Sequence, residues 1–202
     1  MVEFEPHTPN LARMYDYMLG GVANYAVDRE ATDRLAELIP QAVPLARVNR
    51  GFLQRAVRHL ASVGVRQFLD LGSGLPTQGS VHQVVPEARV VYVDRDPVVA
   101  RHADVLLGEA GRAAFVQADL LDPAAVLERA SALLDLSRPV GVLLISILHF
   151  VPDADRPHAA VAELRDALAP GSHLVLTHST SPGRAAAGSP RSSRPRDRMG
   201  GA

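Results

Sequence analysis

The sequence predicts an α/β protein, with a doubly wound, mostly parallel sheet behind an N-terminal layer of helices. Three short apolar runs predict the sheet, because buried parallel strands read as continuous hydrophobic segments rather than alternating ones. They are Phe68-Leu69-Asp70-Leu71, Arg89-Val90-Val91-Tyr92-Val93-Asp94 and Ala114-Phe115-Val116-Gln117-Ala118-Asp119. Each carries an acid at or beside its end, so parallel alignment puts Asp70, Asp94 and Asp119 in a row along one edge. Two Asp-Pro pairs follow, Asp96-Pro97 and Asp122-Pro123. Each joins an N-cap to a proline at the first helical position, and so supplies the alternation of strand and helix.

Taken in order, residues 1–9 hold two prolines and read as a flexible tail. From Asn10, the residues Leu11, Met14, Tyr15 and Met18 recur at helical spacing as far as Gly20-Gly21, a stop signal. Arg13, Asp16 and Tyr17 fall on or beside the other face, which is either solvated or turned over a ligand. A second helix is expected over Asp28–Ile39, with Leu35, Leu38 and Ile39 inward and Pro40 as its stop. A third runs from about Val43 to Val63, burying Leu45, Val48, Phe52, Leu53, Ala56, Val57 and Leu60, and closes at Gly64. Asn49 and Arg50 interrupt that apolar surface, as interfacial polar groups or as ligand contacts.

The first strand runs into Gly72-Ser73-Gly74, where residues without Cβ let the backbone turn tightly and approach a ligand. Such a turn lies at the carboxyl end of the first strand of a doubly wound sheet, where nucleotide-like ligands bind. The next helix is short, about Val81–Val85, halted by Pro86. Helices follow from Asp96-Pro97 to about Leu107 and over Ala124–Leu134. Val140–Leu148 is the fourth strand, apolar throughout and buried on both faces. It leads to Leu148-His149-Phe150-Val151-Pro152, a loop that faces the crevice in an open sheet. His149 is either a general base, its reference pKa lying near neutrality, or a histidine bonded to a neighbouring loop. Phe150 shapes the pocket. A helix over Pro157–Leu168 and a fifth strand over Ser172–Thr177 complete the pattern.

Local details decide the class of ligand. Asp94 lies 22 residues past Gly72, near the spacing of about 20 expected for a carboxylate that holds ribose hydroxyls. A dinucleotide fingerprint needs a small residue three places after the second glycine, and here Pro76 and Thr77 intervene. An anionic pyrophosphate beside Asp70 would be repelled, whereas a sulfonium amino acid with an ammonium group would be attracted. Asp119 is placed to accept from an adenine amino group. These features favour S-adenosylmethionine over NAD.

Asp70-Leu71-Gly72-Ser73-Gly74-Leu75-Pro76-Thr77, Val91-Tyr92-Val93-Asp94 with Asp96-Pro97, and Ala118-Asp119-Leu120 resemble the cofactor motifs of class I S-adenosylmethionine-dependent methyltransferases. The block from Asn10 to Gly21, with Arg13, Tyr15, Asp16 and Tyr17, is similar to the N-terminal signature of an actinobacterial family of unknown substrate. Asn49-Arg50 with Phe52, and Leu148–Pro152, resemble the same family, and the likeness spans roughly residues 8–180. It implies a Rossmann-like domain over 10–178, made of a helical lid (10–63) and a core (65–178). The cofactor set it implies is Asp70, Gly72, Gly74, Asp94, Arg95, Asp119 and Leu120. Arg13 would hold the methionine carboxylate, with Tyr15 or Tyr17 near the sulfonium. The family fold continues past the fifth strand with a helix and two further strands. These are missing here, as in a truncated or frame-shifted reading.

Residues 179–202 are rich in Ser, Pro, Gly, Ala and Arg, with five arginines against the single acid Asp197, and read as a disordered basic tail. It lacks the aromatic residues that single-stranded nucleic acids stack on, so no nucleic-acid partner is expected. A formal charge of −1 gives none either. Cysteine is absent, which excludes disulfides and cysteine-bound metal, and the eight histidines show no metal-ligand spacing. No signal segment or membrane span is legible, and the cytoplasm is the expected compartment. The expected activity is methyl transfer to a small molecule. A non-catalytic adenosyl-binding module and an NAD-dependent oxidoreductase are the alternatives.

Overall fold

The computed structural model describes residues 7–107 and 111–179. Five strands form one sheet: β1 (Gln67–Leu71), β2 (Arg89–Asp94), β3 (Ala113–Gln117), β4 (Gly141–Ile145) and β5 (His173–Thr177). The order is β3-β2-β1-β4-β5 and every pairing is parallel. The chain winds outward from β1 to β3, then returns to the far side of β1 for β4. That reversal leaves a crevice at the carboxyl ends of β1 and β4.

Seven helices surround the sheet among the described residues: α1 (Leu11–Met18), α2 (Ala26–Leu38), α3 (Ala42–Ser62), α4 (Val81–Val84), α5 (Pro97–Leu107), α6 (Pro123–Ala130) and α7 (Pro157–Ala167). Alternate strand residues feed two apolar layers. Phe68, Val90, Tyr92 and Leu143 pack with Leu53, Val57 and Leu60 of α3, Val81 of α4 and Ala103 of α5. Leu69, Leu71, Val91, Val93, Val142 and Leu144 pack on the other face with Val126 and Ala130 of α6 and Leu164 of α7. Sealing a large apolar side chain contributes about 1.5–3 kcal/mol, so these layers, rather than helix propensity, hold the sheet between its helices. No helix among the described residues is long and apolar enough to cross a membrane.

Several expected faces are corrected. Leu38 and Ile39 are exposed, as are Leu45 and Val48, at 82%, 48%, 58% and 63%. The inward residues of α2 are instead Asp28 and Thr32, and Thr32 Oγ1 donates to the Asp28 carbonyl at 2.8 Å. In α1, Arg13 and Asp16 are buried while Leu11 is 63% exposed. α1 and α2 therefore meet through ionic and polar groups rather than an apolar seam.

Two strands end early. β4 stops at Ile145 because Ser146 takes a left-handed conformation (φ 59°), which turns the chain into a 3-10 turn over Leu148–Phe150. β3 ends at Gln117, so Asp119 stands in the following turn. The expected short helix after the glycine turn is present as α4, only four residues long. β5 ends the sheet among the described residues, with Leu174 and Leu176 each 45% exposed. The expectation for the basic tail falls outside the described residues.

Candidate cofactor and methyl-transfer site

Gly72 and Gly74 have φ of +65° and +59°, a region that favours glycine. A Cβ on Gly72 would overlap the Ile147 side chain, and one on Gly74 would lie 3.8 Å from Ala12 of α1. The turn thus passes between the exit of β4 and the N-terminal helix, with no room for a side chain at Gly72. Gly72 and Ser73 N–H groups donate to the Val93 carbonyl at 2.8 and 3.1 Å, pinning the turn to β2. At the tip of β2, Asp94 closes the arrangement: its Oδ2 accepts from Gly74 N at 2.9 Å and its Oδ1 from Asp96 N at 3.0 Å. Burial raises the Asp94 pKa, outweighing those backbone bonds.

Past β3, Asp119 Oδ1 accepts from Leu121 N at 2.9 Å, and Oδ2 meets Arg95 Nη1 at 3.4 Å on an open surface. Leu120 is buried, its side chain in the apolar layer shared with α6 and α7. The structure therefore sets Gly74 in direct contact with Asp94 and Gly72 against Val93 beside it, with the Arg95–Asp119 pair at the next strand end.

Asp70 is 4% exposed and accepts no hydrogen bond from any described residue, yet neither carboxylate oxygen is fully sealed. It lies on the same face of β1 as Phe68, toward α3. Burial pushes its pKa up to about 7, with Arg50 pulling down and Asp94 pushing further up. The native state thus holds a proton there that the unfolded chain has already released at its ordinary 3.8. Stability from this group is full below pH 4 and is lost as pH rises toward 7. Asp70→Asn is expected to flatten that decline, read by urea unfolding at pH 4, 5.5 and 7. An unchanged pH slope would contradict the assignment.

Arg13 is engaged within the protein. Its Nε donates to Asp28 Oδ2 at 2.7 Å, its Nη2 to the Thr8 carbonyl at 2.7 Å, and it lies 5.0 Å from the Tyr25 ring centroid. Both members of the ion pair are essentially buried, at 2% and 0%. Burial opposes ionisation of Asp28, but Arg13 and the N–H groups of Tyr25 and Asn10 still hold its pKa below the ordinary value. Arg13 is a brace for the start of the chain. From the same bracket, the Asn10 amide donates to Asp96 Oδ2 at 2.6 Å, tying α1 to the turn beside Asp94.

Asn49 and Arg50, left open between two roles by sequence, divide them. Asn49 is structural: Thr177 Oγ1 donates to its Oδ1 at 2.7 Å and in turn accepts from Ser146 N at 2.9 Å. Tyr15 joins this chain, donating to the Ala46 carbonyl at 3.2 Å. Arg50 sits with its guanidinium carbon 5.6 Å from the Tyr15 centroid, its Nε buried and without a partner. His149 lies past β4, with ring centroids 4.2 Å from Phe150 and 5.8 Å from His178. Its Nδ1 is buried and unpartnered. Burial, then the neighbouring His178, lowers its pKa, which favours the neutral imidazole.

These residues fit S-adenosylmethionine. A left-handed glycine turn at the carboxyl edge of β1, a carboxylate at the second strand's tip and a buried acid without a hydrogen-bond partner suit an uncharged ribose and an ammonium group. They do not suit pyrophosphate, which needs a helix N-terminus close to the glycine turn. Here α4 starts only at Val81, beyond Pro76 and Thr77. Among the described residues no group of three or more His, Asp or Glu is placed to hold a metal ion.

Comparison with known proteins agrees with the geometry. The S-adenosyl methyltransferase family matches residues 2–192. A DUF574-family protein from Streptomyces avermitilis is similar at 42% identity and a TM-score of 0.78, over 85% of this chain and 69% of that one. A candidate methyltransferase from Thermobifida fusca is also 42% identical, with a TM-score of 0.79 over 87% of this chain and 68% of that one. DesVI of Streptomyces venezuelae, at 20% identity and a TM-score of 0.50 over 78% and 60%, supports the fold alone. A comparison with curated proteins gave no match. With this sheet, this glycine turn and these relatives, the chain belongs to the S-adenosyl methyltransferase family and is an S-adenosylmethionine-dependent methyltransferase.

Proposed function

We propose that the acceptor is a small molecule, methylated in the crevice between the glycine turn and the His149 loop. The observation that carries this reading is the position of the N-terminal helices. α3 packs into the core layer through Leu53, Val57 and Leu60, and the N-terminal helices are tied to the carboxyl edge of the sheet at two points, Asn10 to Asp96 and Asn49 to Thr177. A site strapped on both sides admits a small acceptor more readily than a folded macromolecule.

Gly72 and Gly74 pass beneath the cofactor, Asp94 accepts from the ribose hydroxyls, and Asp119, Arg95 and Leu120 border the adenine. Asp70 faces the ammonium group, and the Tyr15 ring lies on the sulfonium side. When bound, S-adenosylmethionine supplies a methyl group already activated by its sulfonium, so the protein contributes chiefly orientation and exclusion of water. His149, kept neutral by its surroundings, takes the proton of an acceptor nucleophile.

The test uses methyl-labelled S-adenosylmethionine with the low-molecular-mass and macromolecular fractions of a cell extract. Label is expected in the small-molecule fraction. His149→Asn is expected to lower its rate of appearance by about 100-fold with unchanged cofactor affinity. Label confined to protein or nucleic acid would overturn the reading.

A further inference from the structure

We infer that the corner between α2 and α3 is an interface at which this chain pairs with a second copy of itself about a two-fold axis. The inference is independent of the cofactor and acceptor readings above.

The corner itself supplies the first reason. α2 ends at Leu38, and α3 begins at Ala42 after a tight turn in which Ala42 N donates to the Ile39 carbonyl at 2.9 Å. Leu38 and Ile39 on one side of the turn are exposed, as are Leu45 and Val48 on the other, with Pro40 and Pro44 exposed between them. Single apolar residues on a surface are ordinary, but four large ones gathered at one corner form a patch of the kind that marks an interaction surface. The core does not use them. α3 faces inward through Ala46, Leu53, Val57 and Leu60, whereas Leu45 and Val48 stand one turn apart on its outer side. Burial against a partner recovers the stabilisation that their exposure forgoes.

Charge supplies the second reason, and it identifies the partner. α3 carries Arg47, Arg50, Arg55 and Arg58 and no acid. On the exposed side of α2, Glu30, Asp33 and Glu37 outnumber Arg29 and Arg34, and Arg29 is already engaged by Asn24. The two helices are neighbours in one hairpin, yet no ion pair within 4.0 Å joins them among the described residues. The apolar patch is thus flanked by an acidic helix and a basic one. A two-fold contact is self-complementary: it sets α2 of each copy against α3 of the other, with the apolar corner at its centre. A uniformly charged partner, such as an anionic lipid surface, would attract one flank and repel the other.

Sedimentation velocity on the full chain, from about 1 to 100 µM, tests the pairing and is expected to show a reversible monomer–dimer equilibrium. Leu45→Ser combined with Val48→Ser is expected to weaken the dimer by about 10-fold or more, with a thermal melt confirming the fold. Glu30→Arg with Glu37→Arg makes both flanks basic, and Arg55→Glu with Arg58→Glu turns the exposed charge of both flanks acidic. Each charge variant alone is expected to lose about 10-fold or more in self-association. Mixed in equal amounts they re-form a dimer, because each supplies the flank that the other lacks, a recovery that misfolded chains could not give. A parent chain that is monomeric throughout would overturn the inference, as would charge variants that fail to pair on mixing. A dimer unchanged by every corner substitution would also overturn it and move the contact elsewhere, the open edge of β5 with Leu174 and Leu176 being the next apolar surface. A monomer that floats with phosphatidylglycerol vesicles would overturn it and assign the patch to a lipid surface.

Discussion

Replacing Asp94 by alanine is expected to weaken S-adenosylmethionine binding by about 100-fold or more while leaving the protein folded. Asp94 acts twice. Its Oδ2 accepts from Gly74 N and its Oδ1 from Asp96 N, so it sets the shape of the glycine turn and of the turn after β2. Its remaining lone pairs are available for two ribose hydroxyls. Each hydrogen bond to a charged acceptor is worth about 1.5–3 kcal/mol, and loss of a pair reaches the stated factor. Stability should move much less. Burial already disfavours ionised Asp94, so the substitution removes an unfavourable charge along with its bonds. Calorimetric titration and a thermal melt on the same sample separate the two effects. Asp94→Asn, keeping one acceptor, should fall between parent and alanine. A loss under about 5-fold in Asp94→Ala would remove the ribose role.

Arg13→Met should show the opposite profile, a large loss of stability. Breaking a buried ion pair by removing one partner costs about 3–5 kcal/mol, because Asp28 is left charged and 0% exposed. For a chain of this size that corresponds to a fall on the order of 10 °C in Tm. Asp28 keeps its bonds from Asn10 and Tyr25, so the damage centres on α1 and its packing against α2. Hydrogen exchange should report faster exchange there than in β1 or β2. If Arg13 instead held the cofactor's carboxylate, the substitution would leave the melt unchanged and reduce affinity.

What was legible in the sequence follows from how each signal arises. The strands were legible because Phe68–Leu71, Val90–Val93 and Val140–Leu144 are buried on both sides, and such burial demands uninterrupted apolar residues. The row of acids was legible for the same reason, since the positions of Asp70 and Asp94 are set by the strands that carry them. The helix faces were harder. Periodicity assumes that apolar means inward, and α1 and α2 pack instead through Arg13, Asp28 and Thr32, leaving Leu11 and Leu38 outside. Arg50 did carry a signal, a charge on the apolar side of a helix. Its separation from Tyr15 depends on how α1 crosses α3, which no local pattern encodes. Ser146 and Thr177 were missed because their contribution is a left-handed residue and a hydroxyl relay between β4, β5 and Asn49.

The most direct test of the central claim, that the carboxyl edge of β1 and β2 is built for an adenosyl amino acid, is a parallel calorimetric titration. S-adenosylmethionine, S-adenosylhomocysteine and NAD⁺ would each be added to the full chain. Saturable one-to-one binding of the two adenosyl amino acids, with no heat from NAD⁺, is the predicted result. Binding of NAD⁺ as tight as that of S-adenosylmethionine, or silence from all three in a folded sample, would contradict it.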